Sequence, residues 1–299
     1  MHSADSYPFE VCRQKVLHDT VEIAYVAKGR ADKPCLLMIH GLGHALIAWS
    51  HNIPELSKNF YVVAIDLPGN GLSSKSMSYQ YGMHFFAEAI ADFIVQMKLK
   101  EIVLCGHSMG GQIALTLALR QMPQVKGLLL LAPAGLEQFS PLERKLYEST
   151  MYLVDMVSSE ENSLRKATFN SFYLMPPNAT KFLNDLLELM HMQTKAHYRY
   201  MIESCIMGML EEPVYDRLAE ITVPVHIIFG EKDLLIPNKI IHRINIKQLL
   251  EEAVPQFQNA SYTLIPRCGH FLQWEQADEV NYYIADFAKG IFGYQNFPA

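Results

Sequence analysis

The chain has no apolar run near the roughly 20 residues needed to span a bilayer. Gly127–Ala134 is apolar throughout but far too short. No two cysteines are spaced as CxxC, and the five present, Cys12, Cys35, Cys105, Cys205 and Cys268, make an odd number. Cys35 and Cys105 fall at or inside apolar runs that read as buried strands. Neither a disulfide framework nor a zinc site is therefore expected, and a reducing cytoplasm is the expected setting. No block of basic residues stands out, with 25 Lys and Arg against 31 Asp and Glu and a net charge of −6. Nucleic acid is accordingly not an expected partner. Residues Met1–Glu10 lack a basic segment followed by an apolar stretch, so they do not read as a signal peptide. Internal repeats and low-complexity segments are absent as well.

What is there is globular. Half of the 299 residues are hydrophobic and 19% are charged, unlike a disordered chain. The length suits one large core, or a core with a smaller subdomain. The sequence leaves a homodimer open.

Short apolar runs recur, and each ends in a turn. Val11–His18 and Val21–Lys28 read as an opening hairpin. Cys35–Ile39 ends at His40-Gly41-Leu42-Gly43, and Tyr61–Ile65 at Asp66-Leu67-Pro68-Gly69. Ile102–Cys105 ends at Gly106-His107-Ser108, and Leu128–Leu131 at Ala132-Pro133. Val225–Phe229 ends at Gly230-Glu231-Lys232-Asp233, and Tyr262–Ile265 at Pro266-Arg267-Cys268-Gly269-His270. Continuous apolar runs of this length read as strands covered on both faces, as in a parallel sheet. Helical stretches at Phe85–Met97, Gln112–Gln121 and Glu275–Ala288 alternate with them. The expected fold is α/β, a mostly parallel eight-stranded sheet flanked by helices. Ligands in such sheets bind beyond the C-terminal strand ends, where the polar clusters fall.

The stretch 136–221 breaks this pattern. It reads as helices at about Pro141–Val157, Leu164–Phe172, Thr180–Met190 and Lys195–Leu210. The expected organisation is a core of residues 1–135 and 222–299 with a helical cap, 136–221, inserted after the sixth strand. The cap is rich in Met, Tyr and Phe. Its side chains can simply pack the helices, or some can line an apolar pocket over the sheet; Met207, Met209, Phe169 and Tyr173 are candidates for the latter.

The sharpest chemical signal is Gly106-His107-Ser108-Met109-Gly110, a G-x-S-x-G directly after a strand and before a helix. A glycine-rich turn with a capping serine would show the same letters. The flanking strand and helix favour a nucleophile held on a tight turn, its hydroxyl exposed at the sheet end and near a positive helix terminus. A serine needs a base, and the base an orienting carboxylate. His270 follows the last strand and Asp233 the one before it. Glu231 competes for the second role. His107, beside the nucleophile, points elsewhere around the turn and reads as packing or as a support behind the catalytic groups. An oxyanion would need donors, and the backbone N–H groups of Leu42 and Met109 are the expected pair.

Together these motifs resemble the α/β-hydrolase superfamily, over about Val16–Phe292. The resemblance rests on H-G-x-G at His40–Gly43, D-x-P-G-x-G-x-S at Asp66–Ser73, G-H-S-M-G-G, and the G-x-x-D and G-H segments. It implies the serine-nucleophile branch, because dehalogenases and epoxide hydrolases of this fold carry aspartate where Ser108 stands. It implies catalytic Ser108, Asp233 and His270, no cofactor and no metal. The expected function is hydrolysis of a small apolar carboxylic ester through an acyl-enzyme. Two other readings stay open. The segment Cys268–Asp278 is similar to that of meta-cleavage-product C–C hydrolases, although these usually carry Trp where Phe271 stands, and their cap arginine could be Arg165 or Arg199. A small-molecule receptor that retains the triad is the third.

Overall fold

The protein is described by a computed structural model covering residues 7–147, 160–239 and 241–296. Among the described residues, eight strands form one sheet in the order β1-β2-β4-β3-β5-β6-β7-β8. They are β1 (Cys12–Val16), β2 (Val21–Lys28), β3 (Cys35–Ile39), β4 (Tyr61–Ile65), β5 (Ile102–His107), β6 (Val125–Leu131), β7 (Val225–Gly230) and β8 (Ala260–Ile265). The β1–β2 and β2–β4 pairings are antiparallel, and β4 to β8 run parallel. The opening hairpin and the mostly parallel sheet are as expected.

Burial follows position in the sheet. Every residue of β3 and β5 is buried, whereas β1, at one edge, is largely exposed. Each buried aliphatic side chain in these central strands contributes about 1.5–3 kcal/mol. The loops that leave β3 and β5 are therefore anchored on the most stable part of the molecule. These two strands are neighbours, although the chain forms β4 between them. The order reverses there, so a crevice opens between their C-terminal ends.

Helices cover both faces. α1 (Ile53–Leu56) is short, and α2 (Met83–Gln96) turns Met83, Phe86, Ile90, Phe93 and Ile94 to the core. That spacing of three and four is one helical face. α3 (Met109–Ala118) is buried on all sides. Between β6 and β7 lie α4 (residues 141–147), α5 (Glu160–Asn170), α6 (Ala179–His191) and α7 (Lys195–Glu211). The rest of the expected Pro141–Val157 helix lies outside the described residues. A helix absent from the sequence reading, α8 (Ile246–Ala253), connects β7 to β8 and begins with a capping box between Asn245 and Gln248. α9 (Leu272–Glu275) and α10 (Ala277–Phe292) close the chain.

α7 is fastened to the sheet layer. Gln112 Nε2 donates to the carbonyls of Met209 and Glu212, at 3.0 and 3.1 Å. The Glu212 carboxylate accepts the His84 N–H at 2.7 Å. Gly208 lies so close to Gly82 that an added Cβ would sit 2.7 Å from its Cα.

Candidate active site

β5 ends and α3 begins at Ser108, which has φ +55° and ψ −121°. A side-chain-bearing residue rarely takes this conformation, and it costs about 1–3 kcal/mol. Three backbone hydrogen bonds hold it: Ser108 N–H to Leu131 O, and the N–H groups of Gly111 and Ala134 to Ser108 O, at 2.8–3.0 Å. The turn also needs close backbone approach. A Cβ on Gly106 would lie 2.4 Å from Gly110 O, and one on Gly110 would lie 2.4 Å from Ile39 O. Hence glycine occupies both flanks of the serine.

Asp233 and His270 come together from the ends of β7 and β8. His270 Nδ1 lies 2.7 Å from Asp233 Oδ2, and both side chains are almost wholly buried. A carboxylate only accepts, so the ring proton sits on Nδ1 and Nε2 is left as the basic nitrogen. Asp233 Oδ1 accepts the N–H groups of Leu235 and Ile236, at 2.7 and 3.1 Å, which fixes the carboxylate in turn. Glu231, its rival in the sequence, is exposed.

Ser108 and His270 line one cavity of about 560 Å³. The described hydrogen bonds join His270 to Asp233 and do not include one from Ser108 to the imidazole. Leu42 lines the cavity, and Met109 opens α3. The Met109 N–H is thus one of the helix donors without an intrahelical acceptor. Gly41 packs against the elbow, where an added Cβ would lie 3.1 Å from Ser108 Cβ.

Histidines crowd this region. His40 Nε2 accepts the Leu67 N–H at 3.0 Å, so its proton is on Nδ1 and faces Gly41 O at 2.8 Å. Burial pushes His40 down to about 4. His107 donates from Nε2 to the His270 carbonyl at 3.1 Å, and burial holds it well below the ordinary imidazole range. It supports the His270 loop from behind. Among the described residues no three His, Cys, Asp or Glu side chains are grouped to hold a metal.

Residues of α4, α5 and α7 also line the cavity. Tyr198, Ile202, Ile206 and Met209 line it at helical spacing. Gly43, in the loop after β3, lies under Tyr198 and Ile202. Of the expected lining residues, Met209 is there. Met207 is not among the lining residues, and Phe169 and Tyr173 are 43% and 47% exposed to solvent. Those two lie near the C-terminal end of α5, while Leu164 and Ala167 from the same segment line the cavity. The sequence reading missed the α7 stripe, although its four-residue spacing was visible. It also missed His44, whose motif position gave no signal of its own.

Residues 34–277 match the family described as alpha/beta hydrolase fold. The chain is 24% identical to epoxide hydrolase 3 of Xenopus tropicalis, across 91% of this chain and 76% of the relative. It is also 24% identical to a monoacylglycerol lipase of Homo sapiens, across 94% and 83%. Identity is 25% to a 2-hydroxy-6-oxononadienedioate/2-hydroxy-6-oxononatrienedioate hydrolase of Dechloromonas aromatica, across 84% and 86%. Among solved structures, a bacterial membrane phospholipase A superposes with a TM-score of 0.78 at 26% identity, over 97% of this chain and 89% of the other. Among the described residues no helix is long and apolar enough to cross a membrane. Strand order, the serine turn after β5 and the match over residues 34–277 agree, and the chain belongs to the alpha/beta hydrolase fold family.

Proposed function

We propose that the protein is a serine hydrolase acting on a small apolar carboxylic ester. The observation that carries this reading is the cavity shared by Ser108 and His270, with His270 bound to Asp233 at 2.7 Å. Ser108 Oγ attacks the ester carbonyl while His270 Nε2 takes its proton. The N–H groups of Leu42 and Met109 receive the negative charge that forms on the carbonyl oxygen; one such donor is worth about 3–4 kcal/mol in the transition state. The C–O bond then breaks, and the imidazolium returns the proton to the leaving alcohol. Water, activated by the same imidazole, releases the acid. Residues 136–221 serve as the cap over the core formed by 1–135 and 222–299, and apolar α7 side chains support an apolar substrate. Four cysteines buried singly, Cys35, Cys105, Cys205 and Cys268, support a reducing, cytoplasmic setting.

The test is fluorophosphonate labelling of Ser108 followed by a panel of p-nitrophenyl esters of increasing acyl length. Labelling that Ser108→Ala abolishes, with turnover reduced by several orders of magnitude, is the expected result. A Ser108→Ala protein with near-full activity ends the reading.

One observation favours C–C bond hydrolysis as a second reading: Arg199 of α7 lines the cavity. Arg165 is instead paired with Glu161 at 2.8 Å. Vinylogous 1,5-diketones assayed beside the esters separate the two reactions, and a preference for short esters excludes the second.

A further inference from the structure

We infer that His44 is a further catalytic residue, a neutral imidazole whose Nε2–H donates a hydrogen bond to an oxygen of the bound ester. The inference rests on the serine-hydrolase reading above and adds a donor that the mechanism does not otherwise use.

His44 follows the loop after β3 and lines the same cavity as Ser108 and His270. Its ring is held on several sides. It meets Phe271 edge-on at 5.0 Å, lies 6.1 Å from Phe182, and stacks over His107 at 6.1 Å with 10° between the planes. Such a wedge holds the plane of the ring. Nδ1 is buried with no hydrogen-bond partner. That leaves Nε2 as the ring nitrogen facing the cavity.

The tautomer follows from this placement. A proton on Nδ1 would bury a donor with no acceptor and turn a bare lone pair toward the substrate. With the proton on Nε2, the donor faces the cavity, where water or substrate can accept it. Burial, together with the nearby His40 and His270, pushes the ring down to about 3. The imidazole therefore stays neutral near pH 7, and it does not compete for the serine proton. A ring serving only to fill space would need no nitrogen at this wall, and the neighbouring positions are already aromatic.

The experiment compares His44→Gln with His44→Met in the full chain, using p-nitrophenyl butyrate and fluorophosphonate labelling. Both replacements are unbranched and similar in length, but only glutamine keeps a terminal N–H. We expect the Met variant to fall about 10–100-fold below the Gln variant, in kcat rather than KM. The wild-type protein is assayed alongside. If it neither labels nor hydrolyses the ester, the serine-hydrolase reading fails. If it does both and the two variants have kcat values within twofold of each other, the role of His44 is overturned. Should His44→Met fail to fold, His44→Leu takes its place in the same comparison with the Gln variant.

Discussion

His270 and Asp233 lie 37 residues apart in the chain and meet through a 2.7 Å hydrogen bond between Nδ1 and Oδ2, shielded from solvent. The bond selects the tautomer and aims Nε2 into the cavity. Asp233→Asn would present an amide to Nδ1, and an N–H there would favour the wrong tautomer. The fold should survive, because Oδ1 keeps the Leu235 and Ile236 N–H groups. We expect kcat for a p-nitrophenyl ester to fall about 10³–10⁴-fold. A loss below tenfold in steady-state kinetics would show that the carboxylate does not serve the imidazole.

Glu275 ties the His270 loop to the segment after α5. Its carboxylate accepts the N–H groups of Tyr173, Leu174 and Gly269, at 2.9, 3.1 and 3.1 Å. Burial pushes this carboxyl upward, and the three donors pull it back. Glu275→Gln replaces one accepting oxygen with a donor that faces N–H groups. With the side chain half-buried and partly screened, about 1–2 kcal/mol of stability should be lost, together with some turnover. Chemical denaturation and ester kinetics on the same sample check this. Unchanged midpoint and unchanged rate would mean the clamp is idle.

The elbow glycines are required by contact distance. Gly110→Ala would bring a methyl to 2.4 Å from Ile39 O and 2.6 Å from His40 O, both backbone atoms that cannot swing aside. The β3–α3 contact must open, at a cost of about 2–3 kcal/mol. Urea denaturation should show a lower midpoint, and activity should fall further than stability because Ser108 shifts with the turn. An alanine variant with native midpoint and native rate contradicts the packing described.

Stability should decline in mild acid. His40 and His44 are held to about 4 and about 3 in the folded protein, in each case first by burial. The unfolded chain protonates both near the ordinary imidazole value, so between pH 6.5 and 4 it binds more protons than the native state. Stability therefore rises with pH through this window. Going from pH 7 to 5 should cost about 2 kcal/mol for each of the two rings. Urea midpoints at the two pH values check the sign, and His44→Gln should flatten the slope. An identical slope in that variant would mean His44 does not titrate on unfolding.

Much of the fold is legible because burial on both faces of a parallel sheet leaves uninterrupted apolar runs. Cys35–Ile39 and Tyr61–Ile65 appear in the structure at the ends read from the letters. Other boundaries moved where backbone contacts, not hydrophobicity, set them. α3 starts at Met109, immediately after the strained serine, not at Gln112, and β6 begins at Val125, not Leu128, since its pairing with β5 extends that far. α8 went unread because its buried face is short, although Asn245 and Gln248 mark its start.

Local pattern alone determined the strands and most of the helices in chain order, the serine turn and the candidates for its partners. Each is governed by neighbours within a few residues: side-chain period, glycine at tight turns, polar residues at strand ends. Only the tertiary structure brought Asp233, and not Glu231, against His270, turned Phe169 and Tyr173 outward, and wedged His44 into the cavity wall. Those outcomes depend on distances between segments remote in the chain. Hydrogen-bond geometry and close packing, which act through space, settle them.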